Sequence, residues 1–151
     1  MVVALDARRH PASGGPVRLV VEPDTDPPAY RSLYESSIER HPQLAAAAAI
    51  RAEDIVGQVV LIAGGDDQVW PSVAFAERLA RRRVAAGLDS VVVTHPGAGH
   101  RLLLPGETAV VGGHAMARGG SAAADAELGA LAWPKIVRSL GLRGSLPREQ
   151  A

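Results

Sequence analysis

Cysteine is absent from the 151 residues. That excludes disulfides, thiolate metal sites and a cysteine nucleophile supplied by this chain. Aromatic residues make up 3% of it and hydrophobic residues 47%. A core must therefore be built from Val, Leu, Ile and Ala. No apolar run approaches the roughly 20 residues of a membrane span. Residues 1–9 are too short and too charged for a secretory signal. A soluble, cytoplasmic protein is the resulting expectation. Lysine is almost missing too, Lys135 being the only one. Acidic and basic residues balance at 16 each. No electrostatic footprint marks nucleic acid or an anionic membrane as a partner.

What remains is organised like a single α/β domain. The run Val2-Val3-Ala4-Leu5 reads as a buried strand, and residues 17–21 as a second short strand. Residues 30–40 have helical spacing until Pro42 interrupts, and the alanine-rich stretch 44–50 continues as helix. Residues 59–63 are a strong strand that Gly64-Gly65-Asp66-Asp67 ends abruptly. Ser72 reads as the N-cap of a helix reaching about Ala86, with Ala76, Leu79, Ala80 and Val84 as its apolar face. Arg81-Arg82-Arg83 reads as its solvated end, where cations offset the helix dipole. Residues 90–93 form the next strand, and Pro96-Gly97-Ala98-Gly99-His100 the loop after it. Residues 101–120 are glycine-rich and aperiodic. Residues 121–140 are a final helix in which Pro134 predicts a kink. Residues 144–151 are expected to be a disordered tail. The domain thus spans 1–143, with a strand and a variable loop or helical segment over 1–50 and the chemistry-bearing segment over 51–143.

The order strand, helix, strand, helix implies a parallel sheet, whose functional edge lies beyond the carboxyl ends of its strands. Asp66-Asp67 and His100 follow two such ends. A neutral imidazole is a good general base near pH 7 and works best when a carboxylate holds one ring nitrogen. Asp67 and His100 fit the acid and base of a hydrolase triad, and Gly97 and Gly99 allow the loop to aim the histidine.

The string VVLIAGGDDQVWPS resembles the acid-bearing segment of the C-terminal domain of acyl-CoA thioester hydrolases and bile acid-CoA:amino acid N-acyltransferases. HPGAGH, residues 95–100, resembles that family's histidine loop. The likeness extends to the turn from Arg51 to Ile55 before the acid strand, and to Pro105, Gly112-Gly113 and the alanine-rich helix carrying Trp133 after the histidine. It covers roughly residues 50–140. It implies the C-terminal portion of an α/β-hydrolase, a short parallel sheet with flanking helices, acting in acyl-CoA thioester hydrolysis or acyl transfer. Coenzyme A would enter only as part of the substrate, with no metal or prosthetic group. By position Asp67 matches the family acid, Asp66 being the alternative if the register shifts by one.

The family nucleophile sits on a G-x-S-x-G or G-x-C-x-G elbow, and the chain contains neither. Ser36 and Ser37 lie in a helix-like segment. The run Val2-Val3-Ala4-Leu5 resembles the strand that follows the nucleophile helix, so the chain is expected to begin just downstream of the elbow. A truncated gene product, a split enzyme and a non-catalytic remnant or partner-binding module all fit. In each case that strand would be an open edge, prone to self-association or to docking with a missing N-terminal half. A small flavodoxin-like binding domain is a weaker reading without a phosphate-cradling motif. Trp70 is open to two readings, lining the substrate pocket or packing between loop and helix. His114 reads as a loop residue. His10, His41 and His95 share no metal-ligand spacing.

Overall fold

The computed structural model describes residues 25–109 and 112–142. The strands expected near the N-terminus and the tail after residue 143 lie outside them. Helices α1 (Arg31–Arg40) and α2 (Pro42–Ala47) come first. Pro42 lacks the N–H that would continue α1, and stands instead in the first turn of α2, where no such donor is needed. A 3₁₀ turn, Ala52–Asp54, leads to strand β1 (Val60–Gly64). Helix α3 (Ser72–Ala85), strand β2 (Val91–His95) and helix α4 (Ala122–Ser139) follow. The long stretch between β2 and α4 forms neither helix nor strand among the described residues. No helix among them is long and apolar enough to cross a membrane.

Strands β1 and β2 run parallel, in a register that pairs Val60 with Val91 and Gly64 with His95. Their carboxyl ends therefore finish side by side. Because successive strand residues face opposite ways, β1 serves two cores. Leu61 and Ala63 pack with Ala52, Val59, Ala76 and Leu79 beneath α3. Ile62 and Val93 pack with Ala98, Ala124 and Leu128 beneath α4. This is a layered α/β arrangement with a helix on each face of the sheet.

Helix α3 departs from expectation on its flanks. Ala76 and Leu79 are buried, but Val84 is 65% exposed and belongs to the outer face. The three arginines do not share a solvated end. Arg81 is exposed beside Glu77, and Arg82 pairs with Glu53. Arg83 is only 2% exposed. Its Nη1 donates to the carbonyls of Ala52 and Ile55, at 2.7 and 2.5 Å. Its Nη2 donates to Gly57 and Asp89, and Nε also to Asp89. A guanidinium carries five fixed N–H donors, and here they tie the 3₁₀ turn and the entry to β2 onto α3. At the helix end Gly87, with φ +75°, reverses the chain. Its N–H bonds to Val84 O and that of Leu88 to Arg83 O, satisfying the last carbonyls.

Candidate functional site

Asp67 and His100 emerge from the loops after β1 and β2 and meet at the shared carboxyl edge. His100 Nδ1 lies 3.0 Å from Asp67 Oδ2. Asp67 is 2% exposed, whereas the His100 side chain is 23% exposed. Burial alone would push the Asp67 carboxyl up. The hydrogen bonds from His100 and Ser72 and from the N–H groups of Trp70 and Val69 outweigh it, and hold the carboxyl below its ordinary range. Oδ1 accepts from Val69 N at 2.8 Å and Trp70 N at 3.0 Å. Oδ2 accepts from the Ser72 hydroxyl and from His100. An ionised carboxylate can only accept, so Nδ1 carries a proton and Nε2 is the ring nitrogen left to exchange one elsewhere.

Ser72 corrects the expected cap. It is the first residue of α3, the cap position belongs to Pro71, and no side chain caps that end. The Ser72 hydroxyl turns to Asp67 instead. Asp66, the alternative acid, bonds to other partners. It accepts from Gly120 N and from Gln68 Nε2, each at 2.8 Å. The Gly120 N–H bond, helped by Gln68 and by nearby Arg31, keeps its carboxyl low.

Trp70 does pack between loop and helix, with its ring against the imidazole. The Trp70 and His100 centroids are 4.8 Å apart with planes at 89°, an edge-on contact. Tyr34 of α1 is the other ring neighbour of Trp70, at 6.5 Å and 87°. Trp70 remains half-buried.

The histidine loop is built by close main-chain approach. A methyl group on Gly64 would stand 2.2 Å from Gly99 O, and one on Gly99 would stand 2.2 Å from Gly119 O. One on Gly119 would lie 1.6 Å from Asp66 O. Only glycine permits this stack. Within it His100 N donates to Arg118 O at 2.9 Å, and Gly99 N donates to Asp125 Oδ1 at 2.7 Å. Asp125 belongs to the first turn of α4, which Ser121 caps by accepting from Ala124 N. From the other side Arg31 Nη1 reaches Gly65 O at 3.1 Å, and the N–H groups of Tyr30 and Arg31 bond to Gln68 O.

Asp125, Arg31 and Tyr34 are not among the residues the sequence points to, and Ser72 is expected there as a helix cap and not as a partner of Asp67. For Ser72 the available signal was its position just after the GGDD turn. Arg31 and Tyr34 carry no local signal. The other candidates stand apart. Ser37 donates to Leu33 O within α1. His95 pairs with Glu127 across 3.0 Å, and His114 is exposed. Among the described residues no group of His, Cys, Asp and Glu is gathered as a metal site.

Neither the curated proteins nor the solved structures contain a match to this chain. The family model described as BAAT / Acyl-CoA thioester hydrolase C terminal matches residues 29–141, which include α1 to α4, the Asp67 and His100 pair and the glycine stack. The chain therefore belongs to the family of C-terminal domains of BAAT and acyl-CoA thioester hydrolases.

Proposed function

We propose that this chain supplies the acid and base of a site that cleaves acyl-CoA thioesters or transfers their acyl group. One observation carries the reading: His100 Nδ1 is 3.0 Å from the buried Asp67 carboxylate, at the edge where two parallel strands end. Asp67 orients the imidazole and stabilises the imidazolium. His100 Nε2 takes the proton of a serine hydroxyl or cysteine thiol as that group attacks the thioester carbonyl. It returns the proton to the departing thiolate of coenzyme A. It then removes a proton from water or an amine, which attacks the acyl-enzyme, and passes that proton to the departing serine or cysteine. Trp70 forms part of the surface beside the imidazole and contacts the acyl substrate.

In this reading the nucleophile comes from outside these 151 residues, since no G-x-S-x-G or G-x-C-x-G elbow occurs in them. The same fact favours a second reading, a non-catalytic module that binds a partner through this fold. Hydrolysis of a panel of acyl-CoA thioesters separates the two. The purified chain is assayed alone and with a protein carrying the family's elbow segment, beside His100→Ala. Turnover that depends on His100 in either mixture supports the acid–base role. Turnover equal to that of His100→Ala in both leaves the binding module.

A further inference from the structure

We propose that Ser72 is a positioning residue for the acid–base pair, its hydroxyl sharing one carboxylate oxygen of Asp67 with His100 and moderating that oxygen's pull on the imidazole. The proposal deepens the reading above and rests on Asp67 and His100 acting as a pair.

A serine in the first turn of a helix ordinarily uses its oxygen to accept from the exposed N–H groups there. Ser72 does not, and α3 begins without a side-chain cap. Its hydroxyl crosses to Asp67 Oδ2, the oxygen that also faces His100 Nδ1. The other oxygen is already taken by Val69 N and Trp70 N. The carboxylate is thus held on both oxygens, and its hydrogen bond to α3 comes through the Ser72 side chain. Two donors on one oxygen compete for its electron density. The imidazole therefore meets a weaker acceptor than a carboxylate bonded to histidine alone. Removing the hydroxyl strengthens the Asp67–His100 bond and stabilises the imidazolium, and it loosens the carboxylate about its own side-chain torsion.

The surroundings of His100 would stay constant in that experiment. Trp70 lies edge-on to the ring, and the backbone N–H of His100 is held by Arg118 O. The charge in contact with the ring is Asp67, with Arg31 on the carbonyls of Gly65 and Asp67. Position 72 reaches this set through its hydroxyl on Asp67 and through its backbone N–H, which donates to Trp70 O at 2.8 Å and is kept in Ser72→Ala.

The test is NMR of the whole chain, reading the His100 titration and the chemical shift of its Nδ1 proton. Ser72→Ala is expected to raise the titration midpoint by about 0.5 pH unit, roughly a threefold tighter proton, and to move the Nδ1 proton downfield. Ser72→Thr, which keeps the hydroxyl, should stay with the native chain. Asp67→Asn serves as the control on the pair itself. Should Ser72→Ala leave both signals unchanged while Asp67→Asn moves them, the role of Ser72 fails and the pair stands. Should Asp67→Asn also leave them unchanged, the pair fails. If Ser72→Ala does not fold, the native chain decides. A slowly exchanging Ser72 hydroxyl proton with cross-peaks to the imidazole supports the proposal, and a rapidly exchanging one overturns it.

Discussion

Gly129→Ala sets helix propensity directly against packing. Gly129 is buried in the middle of α4. In an unpacked helix alanine is favoured over glycine by about 1 kcal/mol, so local structure alone makes the change stabilising. The fold reverses the sign. A methyl group at position 129 would lie 1.6 Å from the carbonyl oxygen of Leu103. An ordinary carbon–oxygen approach is about 3.3 Å, so the chain at Leu103 or the helix must retreat by about 1.7 Å. The same strand of loop is anchored to α4 by Leu103 N donating to Asp125 O at 3.1 Å, and retreat weakens that bond, worth about 1 kcal/mol. Overpacking of this kind costs about 1–3 kcal/mol. With the propensity gain subtracted, the expected net loss is about 1–3 kcal/mol. Urea unfolding of the whole chain, followed by circular dichroism, reads it as a lower midpoint at constant slope. Gly57→Ala is the control: nothing lies within 4 Å of that position, so it should be neutral or stabilising by about 0.5 kcal/mol. A Gly129→Ala chain as stable as the native one would refute the account of how α4 seats the loop after His100.

Three further outcomes follow from the same contacts. The Asp67 carboxyl is held below its ordinary value of 3.8; its stabilisation is therefore complete above that value and disappears as pH falls through the lower folded one. Unfolding free energies of native and Asp67→Asn chains should converge between about pH 5 and about pH 2, and a gap independent of pH would contradict the depressed carboxyl. Arg83→Met strips the donors from the carbonyls of Ala52, Ile55, Gly57 and Asp89. Of these residues Ala52 is buried, while Gly57 and Asp89 are exposed and water can take up their carbonyls; one stranded buried acceptor costs about 1–3 kcal/mol, so a loss of about 1–3 kcal/mol is expected in the same urea assay, and an unchanged midpoint would show that these bonds contribute little. Ser121→Ala removes the cap on α4, with an expected cost of about 1 kcal/mol, measurable as a lower thermal midpoint and refuted by an unchanged one.

The sheet and its helices were legible because their signals are local. Residues 59–63 are an unbroken apolar run ended by Gly64-Gly65, and β1 lies one residue along from it. The expected helix ends at residues 86 and 140 fall within a residue of those of α3 and α4. The Asp67 and His100 contact followed from strand order, since parallel neighbours finish at one edge. What was missed depends on contacts distant in the chain. Ser72 looks the same in sequence whether its oxygen serves the helix end or Asp67. Arg83 shared a run with Arg81 and Arg82, and charge concealed its spacing. It follows Ala76 and Leu79 on the inward face of α3, and all three are buried. Burial there becomes intelligible only once the carbonyls of Ala52, Ile55, Gly57 and Asp89 are seen converging on its guanidinium.

The stacked glycines at positions 64, 99 and 119 decide how this site could be moved to another protein. His100 is attached through β2 in sequence, yet its position is set by contact of its loop with the end of β1 and with residues 118–120. A transplant carrying only the Pro96–His100 peptide would deliver the imidazole without the surfaces that hold it. The portable unit is discontinuous. It comprises the turn at residues 64–67, the loop at 95–100 and the crossing at 118–120, each with a bare backbone at its point of contact. A designer would have to import all of them together, or replace the stack with side chains that reproduce the same separation between chains.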